Sequence, residues 1–159
     1  MRAAAARVAI AVGSNLGDRR AMVNAAVANL RVWLRDVRVS SWHETAPVGV
    51  GEPQPDYLNG AVCGLTIHPP RRVLDALLGI EAALGRQRPH RNAPRTIDLD
   101  LILYNSVVLD EPGLTLPHPR FRDREFVLAP LAEVGGDMVD PVTGLTVETL
   151  WSRLRARGA

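Results

Sequence analysis

The sequence predicts an α+β fold in which helices pack on a mostly antiparallel sheet. Two strand-helix-strand units follow one another along the chain and are joined by a hairpin connection, which favours this arrangement. The chain has 159 residues, of which 47% are hydrophobic and 23% charged, as in an ordinary globular protein. It contains no repeat and no linker, so we expect one domain spanning residues 1–159.

The first half of the chain supplies the first unit. Residues 8–12 (VAIAV) are an apolar run closed by Gly-Ser-Asn, which indicates a buried strand. Apolar residues at helical spacing predict a helix from 18 to about 35, and moderate alternation predicts a strand at 37–43. The stretch 45–57 holds three prolines and two glycines, so we expect a loop long enough to carry function.

The second unit begins with a predicted strand at 58–67. The next helix starts at a Pro-Pro pair and ends at a glycine, which places it at about 70–84. A basic loop with prolines follows at 86–94 and leads into a strand at 96–104.

The last third of the chain predicts a hairpin and two helices. An Asn-Ser turn follows the strand, and the residues VVL at 107–109 are typical of a returning strand. Beyond a third loop, helices are predicted near 126–134 and from 146 onward.

Charge and cysteine content narrow the class of protein. The formal net charge is only +2, which argues against a general nucleic-acid binder. The single cysteine, Cys63, cannot form an internal disulfide, and no apolar stretch approaches the ~20 residues of a membrane span. We therefore expect a cytoplasmic protein that binds neither nucleic acid nor membrane. We also expect it to be a monomer whose partners are small molecules.

The arginines are concentrated in two segments, 86–95 and 120–124. Such local density suits a small polyanion such as a nucleotide better than a long duplex. Neither a Walker loop nor a G-x-G-x-x-G motif is present. A bound nucleotide would therefore be held by side chains and a metal ion.

Two acids stand one residue apart in the strand IDLDL. Successive strand residues point to opposite faces, so Asp98 and Asp100 share one face while the other is lined by Ile97, Leu99, Leu101 and Leu103. The Cα atoms of the two acids are then ~6.5 to 7 Å apart, which lets their carboxylates grip one or two divalent cations. A solvated acidic face is the alternative that this pattern alone leaves open.

The surrounding arginines favour the metal-binding interpretation. Arg95 lies three residues before Asp98, and three more arginines lie just upstream. Hard oxygen ligands for Mg²⁺ beside forked donors for phosphate are what metal-assisted phosphoryl transfer requires. A solvated basic loop is the alternative for the arginines.

Four separated motifs resemble hydroxymethyldihydropterin pyrophosphokinases, enzymes of the folate pathway. They are GSNLGD at 13–18, QPDYLN at 54–59, PRTIDLDLILY at 94–104 and LTLPHPR at 114–120. The resemblance runs from about residue 8 to about residue 134. It implies a ferredoxin-like fold and transfer of the pyrophosphoryl group of ATP, the co-substrate, to the hydroxymethyl oxygen of a reduced pterin, with release of AMP.

The resemblance also implies roles for individual residues. Asp98 and Asp100 would hold two Mg²⁺ ions, and Arg86 and Arg95 would be catalytic phosphate contacts. The full set implied at the ATP side is Glu81, Arg86, Arg88, Arg95, Leu101, Thr115, His118 and Arg124. The set implied for the pterin is Thr45, Val48, Tyr57, Asn59 and Phe126, of which Tyr57 and Phe126 would sandwich the ring.

Some positions depart from the family, and two other classes of protein fit part of the sequence. Residues 91–94 read Arg-Asn-Ala-Pro where many members have Arg-Trp-Gly-Pro, so the tryptophan that seals the closed site is missing. A nucleotide-sensing module without chemistry would need the arginines but not the acid pair. An RNA-binding fold of similar topology would need exposed aromatics on its central strands, which read VAIAV and IDLDLILY here.

Overall fold

The computed structural model describes residues 4–47, 54–85 and 97–158. In chain order the elements of this part are β1 (Ala6–Ser14), α1 (Arg19–Trp33), β2 (Arg35–Val39), β3 (His43–Thr45), β4 (Tyr57–Thr66), α2 (Pro70–Ala83), β5 (Asp98–Tyr104), β6 (Leu109–Glu111), β7 (Leu114–Leu116), α3 (Glu125–Gly135) and α4 (Val147–Gly158). One turn of 3-10 helix, Phe121–Asp123, precedes α3. Among the described helices, none combines the length and the apolar character needed to cross a bilayer.

The main sheet is antiparallel in every pairing between the described strands. Its order is β2-β4-β1-β5, and β3 pairs with the beginning of β4. Strand β1 is paired on both edges and covered on both faces, which explains why VAIAV is a continuous apolar run. The predicted α+β class with a mostly antiparallel sheet is confirmed.

Helices cover both faces of this sheet. On the α1/α2 face, the core includes Val8, Ile10 and Val12 of β1. On the α3/α4 face, the core includes Ala9 of β1 and the fully buried Phe121. Alternate residues of β1 thus belong to different cores, as the geometry of a strand requires.

An extra residue in β5 changes which of its side chains reach each core. Neighbouring β1 residues lie opposite Leu103 and Leu101, so Ile102 between them is a bulge. The prediction that Leu103 shares a face with Leu99 and Leu101 is therefore wrong. Leu103 packs in the α3/α4 core together with Ile102, whereas Leu99 and Leu101 pack in the α1/α2 core.

The single strand predicted at 37–43 is divided into β2 and β3. Ser40 between them is buried, and its Oγ accepts a hydrogen bond from the Ala61 N–H at 2.8 Å. The Trp42 ring lies so close to Gly60 that a Cβ there would be 2.5 Å from it. A buried hydroxyl and a large ring at this point separate the two strands, so β3 pairs with β4 in a register of its own.

The predicted hairpin is formed one strand later than expected. Asn105 in the turn has a positive φ, and it binds Arg7 of β1 through two hydrogen bonds, Arg7 N–H to Oδ1 at 2.7 Å and its own N–H to Arg7 O at 2.8 Å. The turn is thereby fixed to β1 and not to a returning strand at 107–109. The hairpin is instead β6 and β7, which form a separate two-stranded sheet.

A buried carboxylate holds the segment between α3 and α4. Asp140 is fully buried, and its oxygens accept hydrogen bonds from Arg122 Nε at 2.6 Å and Nη2 at 2.8 Å. Burial by itself raises the pKa of this carboxyl, but bonds from Arg122, Thr143 and the Val142 main chain outweigh that effect and lower the pKa to about 2. The 3-10 turn before α3 is thus tied to the loop before α4.

We expect Asp140→Asn to lower the free energy of unfolding at pH 7 by about 2 kcal/mol, because a pKa unit corresponds to ~1.4 kcal/mol. Because the pKa of Asp140 is lower in the folded state, its carboxylate stabilises the fold at pH values above the ordinary pKa of an aspartate. This stabilisation is lost as the pH falls toward 2. Urea unfolding of both proteins between pH 7 and pH 3 measures this, and the difference between them should shrink on acidification. A pH-independent difference would contradict it. Asp123→Asn, which removes an exposed 3.8 Å ion pair with Arg157, is the control expected to change little.

Candidate active site

The two acids of β5 lie where the sequence places them, on one face of the strand. Asp98 is paired with Gly13 and Asp100 with Ala11. These β1 residues alternate with the α1/α2 core and follow Ala9, so the pairs lie on the α3/α4 face. Both acids are partly exposed, whereas Leu99 between them is buried. The solvated end of this sheet face therefore carries two carboxylates on a rigid strand.

Small residues form the floor beside the acids. Gly13 and Ala11 occupy β1, and Ala61 lies opposite Ala11 on β4. Larger side chains from α3 and α4, among them Leu128 and Leu131, fill the same face farther along. The side chains beside Asp98 and Asp100 are therefore much smaller than the leucines that fill the same face farther along.

Asn59 lies in the same row across the sheet as Asp98. Gly13 is paired with both, with Asn59 on one side and Asp98 on the other, so their Cα atoms are about 9.5 Å apart, twice the strand spacing. The Asn59 Nδ2 donates a hydrogen bond to the Thr45 Oγ1, which fixes the amide orientation. The Asn59 Oδ1 lies directly over Gly13, at 2.7 Å from where a Cβ would be.

Three of the five residues implied for the pterin are brought together here. Thr45 is paired with Tyr57, and Asn59 follows on the same strand and face. The Tyr57 ring also reaches the floor, because its Cδ1 would be 3.5 Å from a Cβ on Gly13. Phe126, on α3, is half-buried against the α3/α4 core, with the guanidinium carbon of Arg124 at 5.4 Å from its ring centre. Val48 lies outside the described residues.

His118 is fixed beside the acid strand in its neutral form. The main-chain N–H of His118 donates to Ile102 O at 2.9 Å, and the ring Nδ1 of His118 accepts the main-chain N–H of Arg120 at 3.2 Å. Burial and the cations Arg124 and Arg120 lower the pKa of His118 to about 4, and Asp98 opposes them only partly. With Nδ1 acting as an acceptor, the proton sits on Nε2. His118 therefore offers a neutral N–H donor near Asp98.

The remaining residues implied at the ATP side are spread over several elements. Glu81, in α2, is buried, and its Oε2 accepts the Leu99 N–H at 2.8 Å, which fixes the main chain between the two acids. Leu101 points into the α1/α2 core, so any contact with a nucleotide would come from its main chain. Thr115 is exposed on β7. Arg86, Arg88 and Arg95 lie outside the described residues.

Asn15 lies beside the site, although the sequence alone predicted no role for it. It is fully buried, and its Nδ2 donates to Gln54 Oε1 at 3.0 Å and to Pro55 O at 3.3 Å. This contact fastens the segment before Tyr57 to the end of β1. The signal was available, since Asn15 and Gln54 belong to two of the four motifs.

The donor set is suited to magnesium. Mg²⁺ is commonly bound by one or two carboxylates together with substrate phosphates and water, and not by a closed cage of protein ligands. In the described part of the chain no group of three or more His, Cys, Asp or Glu side chains could hold a metal ion. Asp98 and Asp100 fit a site of two carboxylates in which substrate phosphates and water complete the coordination.

Comparison with known proteins finds relatives of this chain by sequence and similar structures by fold. A family model for 7,8-dihydro-6-hydroxymethylpterin-pyrophosphokinase matches residues 9–136. Several relatives are named 2-amino-4-hydroxy-6-hydroxymethyldihydropteridine pyrophosphokinase. The one from Synechocystis is 41% identical to this chain over 87% of this chain and 71% of its own length. The one from Bacillus subtilis is 46% identical over 79% of this chain and 75% of its own length. One from Methylorubrum extorquens is 40% identical over 96% of both chains.

A solved structure supports the fold. The wild-type HPPK-DHPS protein of Plasmodium falciparum superposes with a TM-score of 0.76 at 12% identity, over 97% of this chain and 45% of that one. This chain thus spans less than half the length of that protein. Together with the antiparallel sheet, the similarity confirms the ferredoxin-like α+β fold. The match of the family model over most of the sequence and the identities of 40% and above place the chain in the 7,8-dihydro-6-hydroxymethylpterin-pyrophosphokinase family of transferases.

Proposed function

We propose that this chain transfers the pyrophosphoryl group of ATP to the hydroxymethyl oxygen of 6-hydroxymethyl-7,8-dihydropterin and releases AMP, as a magnesium-dependent step of folate biosynthesis. The observation that carries the proposal is the shared row of the sheet in which Asn59 and Asp98 flank Gly13. If Asn59 holds the flat pterin ring, the hydroxymethyl group on that ring would point toward the carboxylates of Asp98 and Asp100. The hydroxymethyl group and ATP would then meet above the glycine and alanine residues of the sheet.

Asp98 and Asp100 would hold two Mg²⁺ ions together with the phosphates of ATP. Such ions, when bound, neutralise the charge that phosphate oxygens gain during transfer. Glu81 contributes by fixing the Leu99 main chain, so that the two carboxylates keep their spacing. The chain's own task is therefore to hold two oxygen ligands in a fixed geometry at the reacting phosphates.

The pterin would be held by stacking and by a few polar contacts. Tyr57 and Phe126 would lie on the two faces of the ring, an arrangement that favours planar heterocycles. Asn59 would read the polar edge of the ring, with its amide orientation set by Thr45. Val48 completes this proposed set.

The phosphates would be bound by neutral and charged donors. His118 offers its Nε2–H, and Arg124 offers a guanidinium on the same side of the sheet. Arg86, Arg88 and Arg95 are proposed as further phosphate contacts, with Arg86 and Arg95 acting directly on the transferred group. Glu81, Leu101 and Thr115 remain proposed members of the ATP side.

The reaction balances without a dedicated base. The hydroxymethyl oxygen forms a bond to the β-phosphorus of ATP, and the bond from that phosphorus to the oxygen leading to the α-phosphate breaks. The electron pair leaves with AMP. With a pKa of about 4, His118 is a weak base at neutral pH, so we assign the hydroxyl proton to water.

We further propose that the protein acts as a cytoplasmic monomer.

The test is to incubate the protein with ATP, Mg²⁺ and 6-hydroxymethyl-7,8-dihydropterin and to separate the nucleotides. We expect AMP and the pterin diphosphate in equal amounts, and no AMP when EDTA is present. ADP as the product would mean ordinary kinase chemistry and a wrong proposal. Binding of ATP without turnover would instead favour the nucleotide-sensing module.

A further inference from the structure

A cluster of polar side chains outside the residues assigned so far joins α3 to β3. The carboxylate of Glu133 accepts the Ser41 N–H at 2.9 Å and the Ser41 hydroxyl at 2.8 Å. Its other oxygen lies 2.6 Å from the Nε2 of His43. One side chain on a helix is thus held by two residues that are about ninety positions away in sequence.

The cluster lies next to the residues proposed to bind the pterin. His43 is paired with Asn59 across the sheet, and Thr45 is two residues farther along the same strand face. On α3, Glu133 follows Phe126 by seven residues, almost two full helical turns, so both side chains lie on one side of the helix. Each end of the cluster therefore belongs to an element that carries a proposed pterin contact.

The contacts of Glu133 specify geometry more than they add stability. Its side chain is 37% exposed, and ion pairs this accessible contribute little to the free energy of folding. Burial raises the pKa of Glu133, but the bonds from Ser41 and His43 outweigh it and hold the pKa below its ordinary value. The carboxylate is thus ionised at neutral pH and accepts three hydrogen bonds, which are stronger than neutral ones.

No other described polar contact joins α3 to β3. A helix that packs on a sheet only through apolar side chains can slide by fractions of an ångström at small cost, because such contacts are not directional. The bonds of Glu133 are directional and remove this freedom at the end of α3 that meets β3.

We propose that Glu133 is a positioning residue which, through Ser41 and His43, sets the spacing between Phe126 on α3 and the Thr45–Asn59 wall of the pterin site. This inference rests on the proposed function, since it concerns the same ligand. It assigns Glu133 no contact with the substrate. Its effect is on how well the two walls of the site fit a flat ring.

The experiment compares Glu133→Ala with Glu133→Gln and with a matched control, Asp137→Asn. Asp137 accepts two hydrogen bonds from Arg7 at 2.8 and 2.9 Å and ties the segment just after α3 to the sheet. Arg7 is six β1 residues from Gly13, about 20 Å from the site. The control therefore removes a similar clip without touching the pterin walls.

The dissociation constants of 6-hydroxymethylpterin and of magnesium ATP are measured for each protein by calorimetry. We expect Glu133→Ala to weaken pterin binding about tenfold, a misplacement effect worth ~1.4 kcal/mol, with ATP binding within about twofold of wild type. Glu133→Gln should recover most of the affinity, because its amide oxygen still accepts from Ser41. Ser41→Ala, which keeps the carboxylate and the main-chain bond, should lose about threefold and covers the case in which Glu133→Ala unfolds.

Two outcomes would overturn the inference while the proposed function stands. One is pterin affinity in Glu133→Ala equal to that of Asp137→Asn. The other is an equal loss of pterin and ATP affinity, which indicates general loosening of the fold. Failure of the wild-type protein to bind the pterin would overturn the proposed function and the inference together, so the two failures are distinguishable.

Discussion

Asp98→Ala is expected to lower the rate of AMP formation by about three orders of magnitude, with Asp100→Ala similar, because each removes an oxygen ligand at the reacting phosphates. The fold should survive, since both side chains are partly exposed on a strand whose leucine and isoleucine residues are buried in the two cores. The rate is measured by quantifying AMP at saturating ATP and pterin. Circular dichroism melts of each variant report on the fold.

Asp75→Asn is the matched control for this experiment. Asp75 is an exposed carboxylate on α2, in the groove between α1 and α2. That groove lies on the opposite face of the sheet from Asp98, so removing its charge should leave turnover unchanged. If Asp98→Ala retained more than about a tenth of the wild-type rate, the acids would belong to a solvated face and the mechanism would fail.

Gly13→Ala is expected to weaken pterin binding about a hundredfold at little cost in stability. The added methyl group would lie 2.7 Å from the Asn59 Oδ1, so one of the two must move. The amide is the free end of a side chain and can rotate away cheaply, but it then loses its bond to Thr45 and its fixed orientation. The substitution should therefore act on recognition and not on the fold.

Gly60→Ala provides the contrast, because its methyl group would lie 2.5 Å from the rigid Trp42 ring on the opposite face. We expect that variant to unfold at a lower temperature, since overpacking costs about 1 to 3 kcal/mol. Thermal melts and pterin calorimetry on both variants separate the two effects. A Gly13→Ala protein that binds the pterin as tightly as wild type would show that the Asn59 amide does not read the ring.

The sequence predicted the main elements because their signals are local. The apolar run of β1, the helical spacing of α1 and the Pro-Pro start of α2 each depend on residues close in sequence. The bulge at Ile102 and the break at Ser40 could not be predicted in this way. The break at Ser40 depends on a buried hydroxyl beside Ala61 and a ring on Gly60. The bulge at Ile102 depends on how β5 pairs with β1, and strict alternation contains neither kind of information.

In the candidate site, too, some features follow from local sequence and others depend on the fold. The shared face of Asp98 and Asp100 follows from the two-residue period of a strand, so the sequence alone predicted it. The row that brings Asn59 to Asp98 across Gly13 needs the strand order, which periodicity does not supply. The contact of Glu133 with Ser41 joins residues 92 positions apart, and neither residue belongs to a motif. Such long-range polar contacts become visible only once the fold is known.

We propose that the paired aspartates hold the metal ions at the phosphates of ATP. This is tested by counting, with electron paramagnetic resonance, the Mn²⁺ ions bound per chain in the presence of the non-reactive analogue α,β-methylene-ATP. Two ions per chain are predicted for the wild-type protein. The variant that combines Asp98→Ala with Asp100→Ala is predicted to bind no more Mn²⁺ than the nucleotide alone binds in free solution. Two ions bound equally well by both proteins would show that the aspartates do not hold the metal ions.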